Sequence, residues 1–234
     1  MLVFLDLETT GLDASEDKIL EVAVIVTDDQ LKEVARFEAV TDEARHIRFV
    51  DEVGKKWPDP YVRKMHHENG LWGASIASTQ SLYAVKIALA AFIREHAVRT
   101  EERPDHPNFG KPILPQLAGN TVSFDRGFIE RHMPEVAKLI HYRHLDVTSV
   151  NELARRAWAP IYSARPNNQE AAHRAMADIE ESLRVARYYA QALDPSGDAT
   201  ALKIVAWAYS RSYDPTDSNA YDDLLTAIQR GDWK

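Results

Sequence analysis

The chain has 234 residues, 28 Lys and Arg against 36 Asp and Glu, nine His and no Cys, with 45% hydrophobic residues and a net charge of −8. Without cysteine there is no disulfide, cysteine-bound zinc, iron–sulfur cluster or thiol nucleophile, and the apolar fraction is too high for a disordered chain. The acidic balance excludes a protein that coats long nucleic acid by electrostatics alone, but not a nuclease that grips a short substrate through metal ions and a few placed donors.

At about 150 residues per domain, the length predicts one large domain, or one with an appendage. No run of about 18 apolar residues occurs, which predicts no membrane span. Met1 leads straight into Leu2-Val3-Phe4-Leu5 without a basic leader, the pattern expected of a cytoplasmic, unprocessed protein.

Residues 2–7 read as a short β-type run closed by Thr9-Thr10-Gly11. Residues 19–27 make a second strand, and Asp28-Asp29 turns into a third over 31–40, an antiparallel meander. Residues 45–50 read as a further short strand or edge. A helical pattern over 60–68 stops at Asn69-Gly70, and Thr79 is placed to cap an amphipathic helix bearing Leu82, Val85, Leu89, Phe92 and Ile93 on one face. Residues 98–115 hold four prolines and read as an exposed loop.

Beyond it, 116–120 is a strand and 123–132 a helix broken near Pro134. Residues 142–147 form a strand, 150–157 a helix, 160–169 a loop and 171–193 a long helix. Composition shifts after Asp194-Pro195-Ser196-Gly197, so the chain divides into a domain over 1–194 and a C-terminal helical extension over 195–234. Three strands, then alternating helices and strands, predict an α/β fold: a mixed five-stranded sheet, the antiparallel meander plus two parallel strands, flanked by helices.

Asp6 and Glu8 sit two apart on a strand, so both carboxylates leave the same face. Burying two anions side by side is costly unless a cation or proton compensates them, and carboxylate oxygens suit magnesium or manganese. Asp125 stands at the start of a helix, just after the strand ending Gly119-Asn120. His173 and Asp178 lie five apart. Along one straight helix that spacing rotates a side chain by about 140°, so they converge only if His173 precedes the helix and Asp178 lies one turn inside.

Taken singly, each has a plainer explanation. Asp-x-Glu is a common solvated pair, Asp125 suits a helix dipole, His173 alone is an exposed polar residue, and an Asp178–Arg174 surface pair is worth about 0.3–0.5 kcal/mol. Taken together they describe a phosphoryl-transfer site. Asp6, Glu8 and Asp178 would hold one metal, Asp6 would bridge to a second supported by Asp125, and His173 would deprotonate the attacking water.

The motifs Asp6–Leu12 (Asp-Leu-Glu-Thr-Thr-Gly-Leu), Gly119-Asn120 with Asp125-Arg126, Met133-Pro134-Glu135, His141-Tyr142-Arg143 with Asp146-Val147, Glu152-Leu153-Ala154-Arg155-Arg156 and Ala172-His173-Arg174-Ala175 with Asp178-Ile179 resemble the DEDDh 3′–5′ exonucleases, and within them the oligoribonucleases. The resemblance covers residues 2–193, and the element order is compatible with the ribonuclease H-like fold it implies. It further implies a homodimer that removes nucleotides from the 3′ end of short single-stranded RNAs, from dinucleotides to about pentanucleotides, with two Mg2+ or Mn2+ ions. Its metal set is Asp6, Glu8, Asp125 and Asp178, with His173 as base. Leu12 then wedges between the last two bases, and His66, Tyr142 and Arg143 cap the 5′ phosphate, the tyrosine reaching in from the other subunit.

Some positions depart from the family pattern. Thr9 replaces a methionine and looks more like proofreading exonucleases, which keeps a DNA-directed alternative open; a catalytically dead RNA-binding module is a third. The family's stacking tryptophan aligns with Tyr61, with Trp57 four residues earlier, and Thr148 stands for a serine at the phosphate end. Residues 195–234 lie outside the resemblance.

Overall fold

The structure is a computed structural model, and it describes residues 1–47, 60–166 and 173–193. These fall into two compact units, one of residues 1–47, 60–147 and 173–183, the other of 148–166 and 184–193. The proposed extension over 195–234, and Trp57, lie outside the described residues.

The first unit is built on a five-stranded sheet of order β3-β2-β1-β6-β7. Strand β1 (Leu2–Thr9) pairs antiparallel with β2 (Ile19–Thr27), and β2 antiparallel with β3 (Glu33–Val40). On its other side β1 runs parallel to β6 (Gln116–Gly119), which runs parallel to β7 (His141–Asp146). The expected meander plus two parallel strands is therefore present. Two short strands, β4 (Arg99–Thr100) and β5 (Pro112–Ile113), pair separately as a small ribbon.

Alternation along β1 divides its side chains between two environments. Val3, Leu5 and Leu7 enter a core with Val22, Val24 and Val26 of β2. Leu89 and Ile93 of helix α3 (Leu82–His96), Phe128 and Ile129 of α4 (Val122–His132) and Val136 of α5 (Pro134–Ala137) close it. Asp6 and Glu8 leave the opposite face. Every residue of β2 is buried, as expected of an inner strand covered on both faces. Gly119 has φ +151°, and a Cβ there would lie 3.0 Å from the Leu5 carbonyl, so a side chain would wedge β6 away from β1.

Helix α1 (Pro60–Glu68) follows the expected pattern, and Gly70, in a left-handed conformation at φ 78°, turns the chain into α2 (Leu71–Ala77), an unanticipated helix that buries Leu71, Trp72 and Ser75. The α3 cap is Ser81, not Thr79: Ser81 is extended and its hydroxyl accepts from the Ala84 N–H at 3.3 Å. Residues 43–46, expected in part to open a strand, form a 3-10 turn in which the Arg45 N–H bonds the Asp42 carbonyl; 48–50 lie outside the described residues. Within the proline-rich stretch, Glu101 is buried and accepts from the backbone and guanidinium of Arg103, which organises the ribbon.

The second unit contains α6 from Thr148 onward (whole helix Val147–Ala157), α7 (Ala159–Ser163) and the last part of α8 (Ala175–Ala192). Residues 160–163 are helical rather than loop because Pro160 falls in the first turn, where its fixed φ favours a helix and its missing N–H costs nothing. The Tyr188 hydroxyl donates to the Ile161 carbonyl at 2.6 Å, and that of Tyr189 to Asn151 Oδ1 at 2.7 Å. Among the described residues no single helix is long and apolar enough to cross a membrane.

Candidate active site

The site grows from the carboxyl half of β1. Among the described residues the β1–β6 pairing ends at Phe4, so the Leu7 N–H needs another acceptor. It finds Asp125 Oδ1 at 3.0 Å. Asp125 lies in the first turn of α4, where the helix dipole favours an anion, and it is buried. Burial, and then the neighbouring Asp6 charge, push its carboxyl well above the usual range.

Asp6, Glu8 and Asp178 form the centre, with one carboxylate oxygen from each lying within 4.8 Å of the others. Asp178 sits in the first turn of α8, and His173 precedes that helix. The two therefore stand as the five-residue spacing required. His173 is exposed and lies close enough for its charge to act on Asp178 and His66. Its φ is +43°, a left-handed conformation that costs a non-glycine residue ~1–3 kcal/mol and clusters at functional sites.

All the central carboxyls are poorly disposed to ionise without a counterion. Burial first, and then the Asp6 and Asp178 charges, push Glu8 up to about 8. Asp6 rises through burial and the Asp178 and Glu21 charges, and Asp178 rises mainly through burial. Four carboxyl groups with this arrangement and too little cationic compensation fit hard divalent cations by donor chemistry.

Glu21 was not anticipated. It stands opposite Glu8 in the β1–β2 register and is fully buried. Its oxygens accept from Arg174 Nη2 at 2.6 Å and Nε at 3.1 Å, and from the Ala175 N–H at 3.0 Å. Glu21 thus satisfies an orphan donor at the start of α8 and anchors the residues between His173 and Asp178. The available signal was a lone charge inside the apolar run Ile19-Leu20-Glu21-Val22. Asp17 was also passed over: buried, it accepts from the Thr10 hydroxyl at 2.9 Å and the Asp13 N–H at 3.0 Å. A Cβ on Gly11 would lie 2.4 Å from its carboxylate, so the Thr10-Gly11 turn depends on glycine.

The other anticipated residues divide by exposure. Leu12 is 83% and Tyr61 73% exposed. Tyr142 is exposed too, with the Arg143 guanidinium 5.4 Å from its ring centre. His141 and His144 oppose the adjacent residues Gln116 and Leu117, so Tyr142 and Arg143 bulge from the edge strand. Thr148 lies near the start of α6, in the second unit.

His66 and Thr9, by contrast, are buried. Burial holds His66 below its ordinary range, so the neutral ring donates from Nε2 to the Thr9 carbonyl at 2.8 Å, with Glu8 Oε2 3.8 Å away. Its Nδ1 has no hydrogen-bond partner among the described residues. The Thr9 hydroxyl donates to the Gly11 carbonyl at 2.6 Å.

Residues 3–186 match the exonuclease family RNase_T, and the chain belongs to that family. Its members are metal-dependent. The solved exonuclease I from Methylocaldum szegediense superposes with a TM-score of 0.58 over 90% of this chain and 45% of that one; at 16% identity it shows the shared fold alone. The same holds for the zinc-bound Escherichia coli exonuclease I–single-stranded DNA complex, at TM-score 0.58 and 14% identity, over 91% of this chain and 45% of that one.

Among curated relatives, the oligoribonuclease of Rhodococcus jostii is 38% identical over 188 residues, 80% of this chain and 85% of that one. That of Corynebacterium diphtheriae is 38% identical over 227 residues, 97% of this chain and 90% of that one. Within the exonuclease family the chain groups with the oligoribonucleases, as a hydrolytic exoribonuclease. Coverage of 97% includes most of the residues beyond 194, so that segment aligns with a relative although it lay outside the motif resemblance.

Proposed function

We propose that this enzyme removes nucleotides from the 3′ end of very short RNAs, above all dinucleotides, releasing 5′-mononucleotides, and that it acts as a homodimer with two Mg2+ or Mn2+ ions per site. The observation that carries this reading is the meeting of Asp6, Glu8 and Asp178 within 4.8 Å, beside Asp125 and His173, in a chain 38% identical to oligoribonucleases. Asp6, Glu8 and Asp178 would hold the cations, and Asp125 would support them beside Asp6. When bound, divalent cations neutralise these carboxylates and stabilise charge developing on the phosphate oxygens.

The chain's own groups do the rest. The His173 imidazole takes the proton from the water that attacks the terminal phosphodiester. The protruding Leu12 parts the last two bases, and Tyr61 offers them a ring to stack on. His66 acts from beneath, fixing the Thr9 carbonyl and hence the turn that carries Leu12.

Register supports the homodimer. Tyr142 and Arg143 lie near the level of Leu2 and Val3, whereas Asp6 and Glu8 lie three to six residues further along β1. That separation is roughly 10–20 Å along the strand, so a Tyr142–Arg143 cap on the substrate's 5′ phosphate comes more readily from a partner subunit. A cap also suits the net charge of −8, because a closed pocket needs no basic track. The DNA-directed alternative drew on Thr9 and on the segment beyond residue 194; the Thr9 hydroxyl is buried and committed to the Gly11 carbonyl, and the relatives covering most of the chain are oligoribonucleases.

The test is product analysis on a 5′-labelled RNA ladder of two to ten nucleotides, with Mn2+, with Mg2+ or with chelator, beside a long single-stranded DNA. The dinucleotide is expected to be consumed fastest, and only with metal. Faster digestion of the long DNA overturns the substrate assignment.

A further inference from the structure

The backbone leaving His173 is held at two points by groups that belong to neither the carboxylate cluster nor the exposed substrate face. On the following residues, Glu21 grips the Arg174 guanidinium and the Ala175 N–H. On His173 itself, the backbone carbonyl accepts a hydrogen bond of 2.5 Å from Asn69 Nδ2. Asn69 comes from the break between α1 and α2, 104 positions away, and its Oδ1 accepts the Leu71 N–H at 3.0 Å. The two partners fix the amide orientation without ambiguity. A backbone N–H requires the oxygen, and a backbone carbonyl requires the NH2.

We infer that Asn69 is a positioning residue for His173, holding the peptide plane that leaves the histidine so that the imidazole faces the carboxylate cluster. A left-handed residue returns to commoner backbone angles unless its surroundings prevent it. Such a return swings the Cα–Cβ bond and carries the imidazole with it. Glu21 pins the next peptide at the Ala175 N–H, and Asn69 pins this one at its oxygen, so the backbone leaving His173 is held at two consecutive peptides. The hydrogen bond is solvent-exposed, which suits an orienting role better than a large share of stability. It also joins the base to the end of α1, the helix that presents Tyr61.

The inference rests on His173 being the proton acceptor, and the variants separate the two ideas. Asp at position 69 still accepts from Leu71 N–H, since Asp caps as well as Asn, but it has no donor for the His173 carbonyl. Ala loses both bonds. On the full chain, with an RNA dinucleotide and saturating Mn2+, Asn69→Asp is expected to lower kcat about 10–100-fold with little change in KM, and to keep the melting temperature. Asn69→Ala is expected to lose kcat similarly and melt earlier.

The deciding measurement combines Asn69→Asp with His173→Asn, a replacement that tolerates the left-handed backbone. If Asn69 acts through the histidine, adding Asn69→Asp to His173→Asn costs nothing further. An effect of the new charge on metal binding would instead persist in that background. Wild-type kcat in Asn69→Asp, or an undiminished loss in the double variant, overturns the positioning role. Wild-type turnover in His173→Asn overturns the base assignment instead.

Discussion

Two glutamates face each other across the β1–β2 ladder, Glu8 and Glu21, both buried and both on the face that looks toward α8. The protein treats them in opposite ways. Glu21 receives a forked guanidinium and a helix N–H, so its charge is compensated from within the chain. Glu8 makes no such fork among the described residues: His66 stands 3.8 Å away, the Arg174 charge acts on it only weakly, and burial with the Asp6 and Asp178 charges pushes its carboxyl up to about 8. A buried anion that the fold neutralises serves the fold. One left uncompensated, among others like it, marks where an external cation is expected.

The largest effects should come from the uncompensated side. Asp6→Asn removes a central ligand, and the several kcal/mol of charge stabilisation at stake translate to a loss of turnover of about 1,000-fold or more on an RNA dinucleotide. Its metal-free melting temperature should hold or rise, because one member of a mutually repelling set has gone. Appreciable Mn2+-dependent turnover in Asp6→Asn would break the metal assignment. His173→Asn should lower kcat about 100–10,000-fold, the usual worth of a general base, with unchanged melting, because the side chain is exposed. A loss confined to KM would make His173 a substrate contact instead.

How much of this was visible in the sequence depended on how local the cause was. The period-two spacing of Asp6 and Glu8 put them on one face, and the spacing of His173 and Asp178 required the start that α8 adopts at Ala175. The β1–β2 register was not visible, so Glu21 gave only the anomaly of a charge among apolar neighbours. Asn69 gave less still, since an Asn-Gly pair reads as a helix stop and its contact with His173 spans 104 positions. The burial of His66 could not be read from its position in the chain, because it depends on what packs over α1. Residues 160–169 read as a loop, yet Pro160 falls where a proline starts a helix.

Next in size is the compensated side. Glu21→Gln leaves Arg174 and the start of α8 without their anion. Breaking a buried pair costs about 3–5 kcal/mol, and partial exposure of Arg174 brings this to roughly 2–4, a fall of about 10 °C in melting temperature. Glu8→Gln, its neighbour across the ladder, should do the reverse: metal-free melting holds or rises while turnover is lost. Equal destabilisation by both changes would erase the contrast between the two glutamates.

The smallest effect tests the same contrast by pH. Glu8 titrates near 8 in the folded protein, and Asp6 is also raised, whereas both lie near 4 in the unfolded chain. Between those limits the folded state holds protons that the unfolded state has released, so stability falls as pH rises. His66 opposes this trend, since its folded value is lowered and the neutral ring must charge in acid; that opposition ends near pH 6.5. The clean window is therefore pH 6.5 to 8, where the metal-free protein should lose about 5 °C in melting temperature. Glu8→Gln should flatten the slope. Cations displace the same protons, so 1 mM Mn2+ should raise the melting temperature more at pH 8 than at pH 6.5. A flat metal-free profile, with equal Mn2+ shifts at both ends, would mean that the cluster is already compensated within the fold, as Glu21 is.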